Sequence, residues 1–291
     1  MLRILVRILL VVILLVVVVV GGVLGRGAWL TSRKIDRRVP ELTVAKNDSA
    51  LVARGEHLAS VVCAGCHGVD EALPLTGGTD FFKAGGPPFG SLIIPNLTPS
   101  GNLQHYSSDG LLLRAIREGI SHEGRALVMM PSADYHDLGD RDAVALIAYL
   151  RSQAPQGTHM PHPSLNAMGL AVVGLGMFKL SDQPAIEGVV EAPAIDSTAE
   201  YGGYLTHVLG CRNCHGATLH GAVKGQFEPM GPDLVGLAAA HPPQIFERAL
   251  RGGISTQGLA LDPTKMPWRT YSRLDDLEVK ALYAYLKAGA N

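Results

Sequence analysis

Two five-residue segments of the chain combine cysteine and histidine at the same spacing. Residues 63–67 read Cys-Ala-Gly-Cys-His and residues 211–215 read Cys-Arg-Asn-Cys-His. The thiols of such a segment are placed to bond the two vinyl groups of one porphyrin, and the histidine that follows supplies the proximal ligand of its iron. Each segment therefore predicts one covalently bound haem c. The predicted attachment and ligand residues are Cys63, Cys66, His67, Cys211, Cys214 and His215.

Two other kinds of site use a Cys-x-x-Cys pair, namely zinc sites and thioredoxin-like redox centres. Zinc would need two further ligands at each pair, and a redox pair does not require the histidine. The histidine is present in both segments, which favours haem. All four cysteines of the chain lie in these segments, so no thiol is left for a disulfide or for a cysteine axial ligand.

The sixth ligand of each iron must come from elsewhere in the chain. Met130 and Met266 each precede a proline and occupy the same position when the two halves are aligned. Proline stiffens the loop that would present the thioether, so we expect Met130 and Met266 to be the distal ligands. Methionine more often fills a core than binds a metal, and we assign that role to the unmatched Met129 and Met230.

Histidine is the other residue type able to fill the sixth position. Seven of the histidines outside the two segments are scattered and have no matching partner in the other half. We expect them at the surface or beside the haem propionates: His57, His105, His122, His136, His207, His220 and His241.

The alignment of the two halves extends well beyond the cysteines. From the Met-Pro pairs onward, identical residues recur at one constant offset: Met130/Met266, Pro131/Pro267, Tyr135/Tyr271, Leu138/Leu274 and Asp140/Asp276. Gly55 and Gly203 each stand eight residues before the first cysteine of their segment. The chain therefore contains an internal duplication with one haem site in each copy. For the matched tyrosines, a place beside the haem and ordinary core packing are both open.

Several capping residues mark the helices that would position the first site. Asp48 is suited to the N-cap of a helix that leads to Cys63, and Ser108 to that of a helix over residues 110–118, which Gly119 would end. The apolar pattern predicts a further helix over residues 140–152. Between these helices, residues 68–107 are rich in Gly and Pro and are expected to form a loop that wraps the macrocycle. In the second half, Ser197 begins a capping-box pattern.

Residues 8–25 form an uncharged apolar run near the start of the chain. The run is long enough to cross a bilayer as a helix. A cleaved secretory signal is the alternative, but no Ala-x-Ala site follows, so we expect an uncleaved anchor. Five basic residues between positions 26 and 38 would by themselves favour a cytoplasmic location for the part of the chain that follows. Haem attachment occurs on the export side, so we expect that part to be exported. The basic residues would then suit anionic headgroups.

A second apolar segment, residues 165–180, lies inside a proline-rich connector. It is short and rich in glycine for a membrane span. We expect a helix packed between the two haem-bearing parts, with membrane contact as the alternative.

Charge is distributed unevenly along the chain. Residues 1–38 hold seven of the 25 Lys and Arg but only one of the 26 acidic residues, which leaves a net charge of −7 on residues 39–291. Nucleic acid is excluded as an expected partner, because phosphate binding requires a clustered basic face. A redox protein with a basic docking patch fits better.

These segments together resemble membrane-anchored dihaem cytochromes c and the cytochrome subunits of bacterial periplasmic alcohol, aldehyde and gluconate dehydrogenases. The resemblance covers about residues 49–155 and 197–288 and is carried by both cysteine segments, by residues 95–99 and 115–119, and by both Met-Pro pairs. Those subunits typically have three haem domains, whereas two haem segments are present here. The resemblance implies a helical cytochrome c fold for each copy, with His/Met ligation.

The expected fold is therefore all-α, with an N-terminal transmembrane helix followed by two tandem cytochrome c-like domains. The expected divisions are an anchor (1–27), a stem (28–47), domain 1 (48–155), a connector with an apolar helix (156–196) and domain 2 (197–291).

The expected function is electron transfer by two haem c groups, and the protein is expected to be a carrier and not an enzyme. Electrons would pass between periplasmic donors, such as a dehydrogenase, and a membrane oxidase or quinol-oxidising complex. The expected location is the periplasmic side of the bacterial inner membrane. A catalytic dihaem enzyme, such as a peroxidase or a sulfur-compound oxidase, is the alternative.

Overall fold

The computed structural model describes residues 2–45, 48–221 and 231–290, and in these residues the chain is mostly helical. One pair of two-residue strands, β1 (Gly90–Ser91) and β2 (Ser164–Leu165), is antiparallel. The helices are α1 (Leu2–Ser32), α2 (Ser49–Leu58), α3 (Ala64–His67), α4 (Asp109–Glu118), α5 (Ser132–Tyr135), α6 (Asp140–Ser152), α7 (Ala167–Gly174), α8 (Ala199–Val208), α9 (Cys211–His215), α10 (Leu234–Ala240), α11 (Pro243–Gly252), α12 (Trp268–Tyr271) and α13 (Asp276–Lys287).

The first cysteine segment is reached by a nearly continuous helix. Asp48 caps α2 by accepting from the backbone N–H of Leu51, as predicted. A π-helical turn, Ala59–Cys63, then joins α2 to α3. The second half differs here, because α8 ends at Val208 and Gly210 adopts a left-handed conformation before α9. The two cysteine segments thus enter their sites by different local routes.

Each half is built on one close helix crossing. A Cβ at Gly55 in α2 would collide with the carbonyl oxygen of Ala145 in α6, and a Cβ at Gly202 in α8 would collide with that of Ala281 in α13. The structural counterpart of Gly55 is therefore Gly202, and the predicted match with Gly203 is wrong. The second half has one more residue between this glycine and its cysteine, at the break beside Gly210.

Most local predictions for the first half are confirmed. Ser108 caps α4, and Gly119 ends it in the left-handed region with φ 65°. Helix α6 has the predicted limits. The long segment after His67 is mainly loop, interrupted by β1 and by a 3₁₀ turn at Asn102–His105. In the second half, the N-cap of α8 is Thr198, one residue later than predicted.

A buried ionic network joins the two halves. Arg54 on α2 lies 3.2 Å from a carboxylate oxygen of Asp142 in its own half and 3.2 Å from one of Glu278 in the other. His57 lies 2.8 Å from the second oxygen of Glu278. Tyr204 donates to Asp142 at 2.8 Å across the same boundary. Both carboxylates are almost completely buried, so each depends on these partners for its charge.

Removal of the charge on Glu278 is expected to lower the free energy of unfolding by about 3 kcal/mol at pH 7, because a buried charge partner is lost. Burial alone would raise the pKa of Glu278, but its hydrogen bond to His57 and the charges of His57 and Arg54 outweigh burial and lower that pKa. Because the pKa of Glu278 is lower in the folded protein, its carboxylate stabilises the fold fully when the pH is above its unfolded-state pKa of about 4.3. This contribution is lost as the pH falls through the pKa of the folded state.

The measurement is urea unfolding of the purified Glu278→Gln variant at neutral and at acid pH. The difference from the parent protein is expected to shrink as the pH falls below about 4. Glu247→Gln is the matched control, because Glu247 makes an exposed pair with Arg251, and it should change stability by less than about 1 kcal/mol. Equal effects of the two substitutions would contradict the role given to the network.

Reciprocal contacts bring each cysteine segment against the opposite half. Asn213, inside the second segment, donates to the carboxylate of Asp134 on α5 at 2.8 Å. The hydroxyl of Thr270 on α12 lies 3.3 Å from the position that a Cβ added to Gly65, inside the first segment, would take. Asp134 and Thr270 are matched positions of the duplication, four residues after Met130 and Met266. The helix that follows each Met-Pro pair therefore contacts the other half's cysteine segment.

Helix α1 is long and apolar enough to cross a membrane by length and composition, and the side chains of its apolar stretch are not buried within the described protein. Its C-terminal end packs against α7, where side chains at Gly27 and Gly174 would collide with backbone carbonyl groups of the opposite helix. The expectation that the second apolar segment packs between the two haem-bearing parts is therefore wrong. Its helix is attached to α1.

Candidate haem sites

A single cavity in the second half brings together the four predicted site residues of that half. Cys211, Cys214, His215 and Met266 all line it. The cavity opens to the surface of the second half. Most of the remaining wall is apolar: Leu209, Leu234, Leu237, Ile245, Phe246, Leu250, Leu274, Leu282 and Leu286. An apolar wall of this kind suits a flat macrocycle.

Two of the four first-half site residues belong to or contact the core of that half. Cys63 is buried in the main hydrophobic cluster, and Met130 packs against the same cluster from its edge. Cys66 is exposed and His67 is half-buried. Leu97, Leu103, Leu112 and Leu138 belong to or contact this cluster, so the surroundings of the first site are apolar as well.

Both predicted proximal histidines are oriented by a proline carbonyl. Nδ1 of His67 lies 2.8 Å from the carbonyl oxygen of Pro95, and Nδ1 of His215 lies 2.9 Å from that of Pro232. Because a carbonyl only accepts, Nδ1 carries the proton and the lone pair is on Nε2, which is then available to a metal. Burial also lowers the pKa of both imidazoles, which favours this neutral form.

The prolines belong to a matched pair of segments whose role was not predicted. Asn96, completely buried, fixes the first loop by donating to the carbonyl oxygens of Gln156 and Thr158. In the second half, Asp233 instead caps α10 by accepting from Gly236. Gly231 completes the second site, because a Cβ there would collide with the His215 ring. The recurrence of Pro-Asn-Leu at residues 95–97 as Pro-Asp-Leu at residues 232–234 was the feature of the sequence that could have indicated this role.

Burial raises the pKa of the cysteine thiols in both segments. The pKa of Cys63 and of Cys211 is raised to about 12, and burial also raises the pKa of Cys214. All four lie among the described residues and none forms a disulfide.

The matched tyrosines lie beside the cysteine segments. Tyr135 donates to the carbonyl oxygen of Val62 at 2.8 Å, and Tyr271 donates to that of Leu209 at 2.9 Å. The first acceptor immediately precedes the first cysteine of its segment, and the second lies two residues before its own. Tyr271 also lines the second cavity. Each tyrosine therefore fixes the backbone that enters its own site.

Other candidate ligands are placed differently from the predictions. His241 lines the second cavity together with Met266, which makes it the competing sixth ligand there. Met129 is exposed and has φ 66°, so its assignment to the core is wrong; this strained position holds the loop beside Met130. Met230 lies outside the described residues.

The remaining histidines are less scattered than the sequence suggested. His57 belongs to the buried network between the halves and not to the surface. The ring of His105 stacks on that of His122, with centroids 5.2 Å apart, and meets that of His159 at 4.8 Å. Three separate loops bring these rings together, which no local pattern could indicate.

The chemistry of the donor set in the second half fits a haem c group. Two thiols, an imidazole with Nε2 available and a thioether line one apolar cavity, and these groups are the ones that attach and ligate haem c. The first half repeats the histidine–carbonyl contact and the tyrosine contact.

Comparison with known families agrees with this donor set. The family model described as "Cytochrome c" matches residues 52–154 and, a second time, residues 199–290. The chain belongs to the cytochrome c family. Covalently bound haem c is the cofactor of such proteins. The two matched ranges each include one Cys-x-x-Cys-His segment and one Met-Pro pair.

Two relatives of this cytochrome are dehydrogenase subunits by name. A nicotinate dehydrogenase subunit of Pseudomonas putida is 27% identical over 269 residues, which cover 82% of this chain and 21% of that protein. The fructose dehydrogenase cytochrome subunit of Gluconobacter japonicus is 29% identical over 202 residues, which cover 64% of this chain and 39% of that protein. The chain thus spans less than half the length of either relative.

Proposed function

We propose that this cytochrome binds two haem c groups and transfers electrons as the electron-accepting subunit of a dehydrogenase. Bound haem supplies an iron that cycles between ferrous and ferric states. The observation that carries the proposal is the second-half cavity, where Cys211, Cys214, His215 and Met266 meet. In the first half, Cys63, Cys66, His67 and Met130 take the same roles.

The protein residues have three tasks in this proposal. The cysteines attach the cofactor, the proline carbonyls orient the proximal imidazoles, and the apolar walls exclude water. With Met130 and Met266 as sixth ligands, neither metal offers an open position to a substrate. The sites therefore suit electron transfer and not chemistry on a bound molecule.

Contact between the halves supports electron transfer from one site to the other. Asn213 contacts Asp134, and the Thr270 hydroxyl lies 3.3 Å from the position that a Cβ of Gly65 would take, so each cysteine segment lies close to the other half. The buried pairs of Arg54 with Asp142 and Glu278 keep this arrangement fixed. A fixed separation between two redox groups is what a two-centre electron carrier requires.

The relatives and α1 support a proposal for the partners and the location of the protein. A dehydrogenase is the proposed electron donor, and a membrane oxidase or quinol-oxidising complex the proposed acceptor. Helix α1 would anchor the protein in the bacterial inner membrane with both haem-bearing halves on the periplasmic side. The net charge of −7 on residues 39–291 would favour a partner with a basic docking surface.

An equilibrium redox titration of the purified holoprotein, followed in the visible region, tests the proposal. We expect two reversible one-electron transitions and no turnover of hydrogen peroxide. The Cys211→Ser/Cys214→Ser double variant should retain one transition, which then belongs to the first half. Peroxide turnover at an enzymatic rate would favour the catalytic alternative, and a single transition in the parent protein would contradict two haems.

A further inference from the structure

Helices α1 and α7 meet where the apolar run of α1 ends. Arg26 donates a hydrogen bond to the carbonyl oxygen of Gly174. Gly27 lies against the Leu170 backbone, and Gly174 lies against the Val23 backbone. Two glycines at one crossing allow close backbone contact, which fixes α7 beside the last turn of the apolar run. If α1 spans a bilayer, as proposed above, this crossing lies at the boundary between acyl chains and headgroups.

Large apolar side chains around this crossing are exposed. Met168 is 54% exposed, Leu175 59% and Met177 66%. Met168 lies in the first turn of α7, and Leu175 and Met177 directly follow its last residue, Gly174. Trp29 on α1 is also exposed, and the guanidinium of Arg33 lies 5.2 Å from the centroid of its ring. Tryptophan beside arginine is typical of the membrane interface.

Basic residues accompany this apolar surface. Five Lys and Arg follow the apolar run between positions 26 and 38. Arg33 and Arg37 pair with Asp182 and Glu118, whereas Lys34 and Arg38 are exposed. Exposed cations next to an apolar face complement anionic phospholipid headgroups.

The same surface is attached to the first haem-bearing half. Strand β2, just before α7, pairs with β1, and the backbone N–H of Asn166 donates to the carbonyl oxygen of Phe89 at 2.9 Å. The rings of Phe89 and Phe178 meet edge to face with centroids 6.2 Å apart. Contact of α7 with a membrane would therefore restrain the orientation of the first half.

We propose that Trp29, Met168, Leu175 and Met177 form a membrane seat, a second contact in which α7 lies at the boundary between headgroups and acyl chains. The seat holds the haem-bearing halves in one orientation above the bilayer. Its occupant is lipid because the apolar surface continues directly from α1, whose apolar side chains are not covered by protein within the described residues. The inference rests on the proposed role of α1 as an anchor.

Photolabelling of the full-length holoprotein tests the seat. The protein is placed in vesicles of phosphatidylethanolamine and phosphatidylglycerol that contain a diazirine-bearing phospholipid, and labelled peptides are identified by mass spectrometry. We expect label in α1 and in residues 167–178. The peptide around Leu259, a leucine of the second half that is 64% exposed, should remain unlabelled and is the internal control.

Substitutions in residues 167–178 test the membrane seat independently of the anchoring role of α1. Met168→Glu/Met177→Glu is expected to reduce label in residues 167–178 about tenfold, because charge opposes insertion at the interface, and to leave the label in α1 unchanged. Leu259→Glu should change neither. Label in α1 without label in residues 167–178 of the parent protein would overturn the seat and leave the anchor intact. Absence of label from both segments would overturn both.

Discussion

Replacement of Met266 by alanine is expected to make the second haem bind carbon monoxide and to lower its reduction potential. Methionine opposite histidine raises the potential of a haem and closes its sixth position. Alanine cannot ligate, so the iron of the second half would become open to external ligands. We expect a downward shift on the order of 0.1 V, a fraction of the roughly 0.8 V over which axial ligands set haem potentials. The first haem should keep its spectrum.

Two control variants make this result specific. His241→Ala removes the other candidate ligand in the same cavity and should leave the second haem closed to carbon monoxide. Met130→Ala should open the first haem, whereas Met129→Ala, next to it in sequence, should not. If the second haem bound carbon monoxide in the His241→Ala variant but not in the Met266→Ala variant, His241 would be its sixth ligand.

Replacement of Gly202 by alanine is expected to destabilise the second half by about 1–3 kcal/mol, the usual cost of overpacking a tight core contact. The new Cβ would collide with the carbonyl oxygen of Ala281, so α8 and α13 would have to separate. Both helices help to form the second site. Helix α8 leads through Leu209 and Gly210 to α9, and Leu282 and Leu286 of α13 line the cavity. Urea unfolding of the holoprotein measures the effect.

Gly252 provides the matched control for this substitution. It also lies in a helix of the second half, at the end of α11, but a Cβ there would meet its nearest neighbour only at 3.9 Å. Gly252→Ala should leave stability unchanged or raise it by up to about 1 kcal/mol, since alanine favours helix more than glycine does. If Gly202→Ala proved as stable as Gly252→Ala, the tight crossing would not exist in the protein.

Features governed by nearby residues were predictable from the sequence. The N-caps Asp48 and Ser108, the glycine that ends α4 and the limits of α6 all follow from side chains within one helical turn. The duplication also indicated matched surroundings, and the carbonyls of Pro95 and Pro232 indeed occupy equivalent places against His67 and His215. The ligand roles of Met130 and Met266 stay predictions.

Features that depend on distant contacts were not predictable. The equivalence of Gly55 with Gly202 appears only when the helices they cross are known, because an added residue near Gly210 shifts the count along the chain. The apolar composition of residues 165–180 predicted a packed helix, but it did not indicate that α1 is the helix against which it packs. His57 meets Glu278 from 221 residues away, a contact that no motif describes.

The optical and electron paramagnetic resonance spectra of the purified protein, with and without carbon monoxide, test the central claim most directly. Two closed His/Met sites predict two low-spin haems in the ferric protein and no spectral change when carbon monoxide is added after reduction. One high-spin haem, or one haem that binds carbon monoxide in the freshly prepared protein, would contradict the account. The open site would then be a place for catalysis.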